Sequence, residues 1–238
     1  MSQTHEKTIA DMFDRIASRY DFLNSLLSMR QDRRWRHKLI SWLPPVNDGR
    51  LLDVACGTGD ILKTAFLNRK DYVNFVGVDI SKEMLKLAEK KLNDLGLKNS
   101  NQTSLTLNAM SAEKLEFPDQ SFDAVTISFG LRNVGDKERA LEEFKRVLKP
   151  GGKLFVLEFF QSKSGILSHL FRFYFHFILP LIGALFSDKK AYTYLPKSVD
   201  SFYEIQEFSK ILEKKGFLKS RQKIFLWGAC VLVEASKH

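Results

Sequence analysis

The stretch Leu51-Leu-Asp-Val-Ala-Cys-Gly-Thr-Gly-Asp60 constrains this chain more than any other. An apolar, β-prone run ends on an acidic residue and enters a loop with Gly57 and Gly59. Ile61, Leu62, Ala65 and Phe66 then recur at helical spacing. Strand, tight glycine turn and helix, in that order, build the nucleotide pocket of open α/β sheets at the carboxyl edge of the strands. The charge of the loop narrows the ligand. Leu62 stands where a dinucleotide site prefers a third glycine, and Asp53 and Asp60 flank the turn, where they would repel a pyrophosphate. Carboxylates suit a ligand with an ammonium or a sulfonium group. The next strand, Asn74-Phe-Val-Gly-Val-Asp79, ends in an acid placed to accept hydrogen bonds from ribose hydroxyls.

From residue 50 onward strand and helix patterns alternate. Strands are expected at 50–54, 73–78, 104–107, 122–128 and 153–158, with helices at 59–68, 82–95 and 136–148 between them. Ser81 is placed to cap the second of these helices and Gly96 to stop it. A helix at 200–215 and strands at 218–226 and 229–235 complete the pattern. Repeated βα units of this length specify a doubly wound, mostly parallel sheet with helices on both faces. At 238 residues the chain makes one domain. It divides into a helical cap (1–49), a cofactor-binding core (50–160), an apolar helical insertion or lid (161–199) and a final helix with strands (200–238). In the cap, Ile9, Met12, Phe13, Ile16, Ala17 and Tyr20 form one continuous helical face, so residues 6–20 should pack against the rest.

The net charge of +9 is uneven: +6 falls on residues 161–238 and +2 on residues 1–49, leaving the core nearly neutral. A basic periphery suits a polyanionic neighbour, anionic lipid or nucleic acid. Cys56 and Cys230 lie far apart without metal-ligand or disulfide spacing, which fits a reducing compartment. The first residues lack the apolar core of a secretory signal. The most apolar stretch, 164–186, carries Arg172 and Pro180 and leaves only a short uncharged run, below the ~20 residues that a membrane span needs. Its His169, Arg172 and His176 form a narrow polar stripe on an otherwise aromatic helix, suited to covering a greasy ligand or resting on a membrane.

Acidic strand end, Gly-x-Gly and acidic second strand end together resemble the S-adenosylmethionine (SAM) site of class I methyltransferases. The match extends further, through Tyr20-Asp21…Asn24…Ser28…Trp35, Ile127-Ser-Phe-Gly-Leu-Arg-Asn133 and Arg146-Val-Leu-Lys-Pro-Gly-Gly152…Leu157-Glu158. These segments resemble the quinone-biosynthesis C-methyltransferases, which methylate demethylmenaquinone and the polyprenyl benzoquinol precursor of ubiquinone. The chain departs from the family pattern at Leu23, Asp32 and Phe160. The resemblance implies a Rossmann-like class I fold with a seven-stranded sheet and SAM as cofactor. It places SAM contacts at Thr58, Asp79, Ser111, Ala112 and Ser128, beside the Asp53, Gly57 and Gly59 of the turn.

Methylating a ring carbon requires no metal and no covalent enzyme intermediate; the protein aligns the reactants and controls charge. The acceptor must be the reduced quinol, whose hydroxyl pushes electrons onto the neighbouring carbon. Arg132 and Asn133, just past the fourth strand, are the expected donors to the developing phenolate. Tyr20 is expected to orient the quinol, with Asp21 or a water taking the proton. The expected protein is a cytoplasmic, peripherally membrane-associated demethylmenaquinol methyltransferase that does not bind nucleic acid; a homodimer is left open. Methylation of the methoxy-benzoquinol is the alternative. An RNA methyltransferase and a non-catalytic quinone- or lipid-binding protein are the more distant rivals.

Overall fold

The computed structural model describes residues 2–28, 30–97, 99, 102–161, 189–228 and 230–238. The apolar 164–186 segment, with His169, Arg172 and His176, therefore lies outside the described residues.

Among the described residues, seven strands form one sheet in the order β3-β2-β1-β4-β5-β7-β6. They are β1 Gly49–Val54, β2 Tyr72–Asp79, β3 Ser104–Ala109, β4 Phe122–Ser128, β5 Leu148–Phe159, β6 Phe217–Phe225 and β7 Cys230–Lys237. The first five run parallel; β7 lies antiparallel between β5 and β6. β1 is central, buried on both sides through Leu51 and Leu52, which accounts for its uninterrupted apolar sequence. The strand order reverses between β1 and β4, and so opens a crevice at their carboxyl ends.

Helices cover both faces. On one, α2 (Gln31–Trp42) and α3 (Asp60–Asn68) bury Trp35, Leu39, Ile61 and Leu62 against Leu51, Phe155 and Leu232. On the other, Phe144 of α5 (Lys137–Val147) and Phe208 of α7 (Ile205–Lys214) join Leu52, Val125 and Val233. α4 (Lys82–Asp94) starts at Ser81, whose hydroxyl accepts the Met84 N–H at 3.1 Å, and is followed by Gly96 at φ 69°. Both match the expected cap and stop.

Three boundaries differ from expectation. The first helix, α1, is longer than 6–20 and spans Ser2–Leu27. β5 begins at Leu148 rather than 153: the Pro150-Gly-Gly152 segment bulges out of the strand between the Phe122–Leu148 and Ala124–Lys153 pairs. The expected helix 200–215 is α7, which starts later, at Ile205, and a separate helix, α6 (Lys189–Asp200), precedes it with Pro196 inside. Proline reads as a helix breaker, and here tertiary packing, with Pro196 buried, overrides it. Among the described residues no helix is long and apolar enough to cross a membrane.

Candidate functional site

The carboxyl ends of β1 to β4 surround a cavity lined by Gly57, Asp79, Met110, Ala112, Ser128 and Asn133. α1 lies across it and contributes Glu6, Ile9 and Phe13. The apolar face of that helix was legible in the sequence, but not that it roofs this crevice.

The glycine turn is held in an unusual shape. Ala55, Gly57 and Gly59 all adopt left-handed backbone, with φ of 51°, 53° and 79°. For Ala55 this is strain of the kind that collects at ligand sites. Gly130, on the facing loop, comes so close that a Cβ there would lie 2.5 Å from the Ala55 Cβ. Asp79 organises the turn from β2: one carboxylate oxygen accepts the Gly57 N–H at 2.8 Å and the other the Ser81 N–H at 2.9 Å. Each oxygen keeps a lone pair for a ligand hydroxyl. Burial holds the Asp79 carboxyl above its ordinary range, against the lowering effect of these N–H groups.

Asp53 is 1% exposed. The Thr126 hydroxyl donates to its Oδ1 at 2.7 Å, and its Oδ2 has no partner. Burial pushes its pKa up to about 7, offset in part by the Thr126 bond and the Arg36 charge. Ser128 Oγ, at the end of the adjacent strand, is likewise buried without a partner. Buried polar atoms are nearly always bonded, so two orphaned oxygens at the mouths of β1 and β4 are a request for a ligand. An unpartnered carboxylate oxygen next to a glycine turn, with Asp79 one strand away, fits the ammonium and ribose ends of SAM.

The structure changes the role of Asp60. It does not meet the ligand as a free charge: Arg36 of α2 reaches its Oδ2 at 3.0 Å and Lys91 of α4 its Oδ1 at 2.9 Å. Those cations keep its pKa below the usual carboxylate range despite burial. Lys91 also donates to the Thr58 hydroxyl at 2.8 Å, so that side chain points to the charged groove outside the turn. Arg36 binds Asp32 at 2.6 Å, and Ser28 donates to the same carboxylate at 2.8 Å. The Asp32 departure thus supplies Arg36 with a buried counter-charge. Ser111 donates to the Glu6 carboxylate, a contact that no local signal in the sequence could have revealed. Ala112 is 9% exposed and lines the cavity.

The expected donors separate. Asn133 borders the cavity; its Oδ1 accepts the Tyr194 hydroxyl at 3.2 Å, and its backbone carbonyl accepts from His5 at 3.1 Å. Arg132 points instead into a neighbouring cleft. Its Nη1 donates to Glu158 Oε1 and to the Phe129 carbonyl, both at 2.7 Å, and its Nε to Ser198 at 3.2 Å. Glu158 is fully buried. Arg132 is thereby a tie between the β4 loop and β5 rather than a group opening on the cofactor crevice. Tyr20 and Asp21 belong to α1, and their side chains lie outside the described residues.

Beside the cavity lies an aromatic cluster absent from the expectations. Trp35 packs on Phe129 and Phe159 with ring centres 6.2 Å away in each case, and on Phe225 at 5.8 Å. Phe129 has φ 58° and lines the cavity as well, so one residue joins the two surfaces.

Comparison with known proteins agrees with this geometry. The model of the ubiE/COQ5 methyltransferase family matches residues 1–237. A ubiquinone/menaquinone biosynthesis C-methyltransferase UbiE of Geobacter sulfurreducens is 41% identical over 229 residues, which cover 96% of this chain and 88% of that protein. In fold, a SAM-dependent methyltransferase from Aquifex aeolicus superposes with TM-score 0.60 at 22% identity, covering 85% of this chain and 89% of the other. A geranyl diphosphate C-methyltransferase from Streptomyces coelicolor, solved with S-adenosyl-L-homocysteine, gives TM-score 0.65 at 13% identity over 88% and 80% of the two chains.

Proposed function

The chain belongs to the ubiE/COQ5 methyltransferase family and is a SAM-dependent C-methyltransferase of quinone biosynthesis, and from that premise we propose that its acceptor is a polyprenyl quinol, demethylmenaquinol before the methoxy-benzoquinol. The observation that carries the acceptor reading is Phe129, shared between the cofactor cavity and the Trp35–Phe159–Phe225 cluster. A flat ring lying on these aromatics has its edge at the cofactor. A fused bicyclic ring covers more of that surface than a single one, which favours the naphthoquinol.

SAM, when bound, supplies a methyl group on a positively charged sulfur, already a good electrophile. The chain's own residues bind, align and move a proton. Asp79 would receive the ribose hydroxyls and the Asp53 carboxylate the ammonium group, and Gly57, Gly59, Ser111, Ala112 and Ser128 would shape the rest of the crevice, while the Thr58 hydroxyl, held by Lys91 on the groove side, braces the turn. Asn133 donates to the quinol oxygen as it becomes phenolate. Arg132 acts through others, fixing the Phe129 carbonyl and hence the loop that carries Asn133. Tyr20 orients the quinol and Asp21, or a water beside it, takes the hydroxyl proton. The site works at the surface of an anionic membrane, where a prenylated acceptor resides.

The test is direct. The protein is incubated with labelled SAM and each reduced quinone, with oxidised controls, and products are identified by mass. Transfer to the naphthoquinol alone is expected. Transfer to the benzoquinol alone reverses the choice, and equal transfer to oxidised quinone sinks the mechanism.

A further inference from the structure

Outside the cofactor crevice, a groove of about 690 Å³ runs between α1, α2, α3 and α4. Its floor is the outer side of the glycine turn, where Thr58 and Asp60 are held by Lys91 and Arg36. Those bonds consume the acids: Asp60 is taken by two cations, and Asp32 by Arg36 and Ser28. What the groove still offers is cationic. Arg33, Lys63 and Lys90 line it, and none forms an ion pair among the described residues; His37 stands beside them. Asp94 is the remaining acid on the wall.

The second property is apolar. Four large hydrophobic residues are strongly exposed among the described residues, and two of them, Leu67 at 49% and Leu95 at 47%, line this groove. Unpaired cations beside exposed leucines match a phosphate headgroup with an acyl chain beneath it. The basic surface continues along the outer side of α2 through Arg30, Arg34 and Lys38, all exposed. Nucleic acid fits less well, because binding single strands relies on exposed aromatic rings that stack bases. The aromatic residues of α2, Trp35 and Trp42, are both buried at 3% and 8% exposure.

We propose that this groove, with the outer face of α2, is the surface by which the protein docks on an anionic phospholipid bilayer. The proposal deepens the quinol reading, since it sets the glycine turn, with Gly57 on its cofactor side and Thr58 on its groove side, directly at the lipid surface. Phosphates bridge Arg33, Lys63 and Lys90, and Leu67 and Leu95 meet the acyl region. The prenyl tail of the acceptor then need not leave the bilayer for its ring to reach Phe129.

The experiment compares wild type, an R33Q/K63Q/K90Q variant and a K197Q/K210Q/K214Q control on α6 and α7. Each is sedimented with neutral phosphatidylcholine vesicles and with vesicles containing phosphatidylglycerol, and with single-stranded RNA as a competitor. SAM affinity and turnover on a short-chain, detergent-dispersed quinol are measured on the same preparations. Wild type and control should bind anionic vesicles only. The groove variant should lose about a hundredfold in partitioning while keeping SAM affinity and detergent turnover. Equal loss in the control overturns the proposal, as does absence of wild-type binding to anionic vesicles. Binding to RNA that is stronger than to vesicles and lost in the groove variant overturns it in favour of nucleic acid. Vesicle binding that follows the groove charges without turnover on any quinol supports the docking face and removes the quinol reading instead.

Discussion

Asp53 is a carboxylate that the fold holds at a cost, and the size of that cost can be measured. Its pKa rises from 3.8 to about 7 on folding, through burial. An acid whose native pKa is raised binds its proton more tightly in the folded than in the unfolded chain. Stability is therefore greatest at low pH, falls as pH climbs from about 4 toward 7, and levels off above that. At pH 8 both states are ionised, and a shift of about three units corresponds to about 4 kcal/mol of lost stability. At pH 5 the native carboxyl is protonated, and the cost is roughly 2 kcal/mol. Asp53→Asn removes the ionisation. Its amide oxygen can still accept from Thr126, while its NH2 occupies the orphaned Oδ2 position as an unpaired donor, a cost of about 1–3 kcal/mol that does not vary with pH. The diagnostic quantity is thus the difference in melting temperature between variant and wild type, without cofactor, across pH 5 to 8. It should move in the variant's favour by about 2 kcal/mol, roughly 4–8 °C for a chain of this size. The same variant should bind SAM about ten- to a hundredfold more weakly at pH 8, having lost the partner for the ammonium group. A difference that stays flat across this range would refute the reasoning.

Asp79→Ala removes the acceptor of the Gly57 and Ser81 N–H groups together with the expected ribose contact, so SAM affinity should fall about ten- to a hundredfold by calorimetry; an unchanged dissociation constant places the cofactor elsewhere. Arg132→Ala leaves Glu158 buried without its counter-charge and should cost about 3–5 kcal/mol in denaturant unfolding, with Arg132→Ala/Glu158→Gln regaining part of it; wild-type stability in the single variant contradicts the tie. Gly130→Ala pushes a methyl against Ala55 and should destabilise by about 1–3 kcal/mol while weakening SAM binding, since both residues border the cavity; normal binding and stability would show that the two loops move apart freely.

The sheet was legible because its strands are announced twice, by apolar runs and by the turn residues between them. Asp53, Asp79 and the glycine turn could be read for the same reason: chemistry and element boundary coincide within a few residues. What escaped was built by partners far apart in sequence. The Asp60 charge looked available because Arg36 and Lys91 lie 24 and 31 residues away, on helices whose facing could not be known. Arg132 read as a donor to substrate because its carboxylate, Glu158, belongs to the next strand. The apolar stripe of α1 announced a buried face but not its destination, so Glu6, Ile9 and Phe13 went unassigned to the cavity.

The position of β7 bears on how the protein is made. Five parallel strands are synthesised before it, yet the edge of β5 stays open until Cys230–Lys237 arrives to pair with it from Lys153 to Phe159. For that interval the nascent chain displays an unpaired strand carrying Leu154, Val156 and Leu157, all fully buried in the finished fold. An open apolar edge invites pairing with another chain. β6 emerges first but cannot close the gap, because among the described residues its partner in the sheet is β7 alone. β6 and β7 therefore enter as a hairpin, and slowed elongation between β5 and β7 would raise the aggregated fraction.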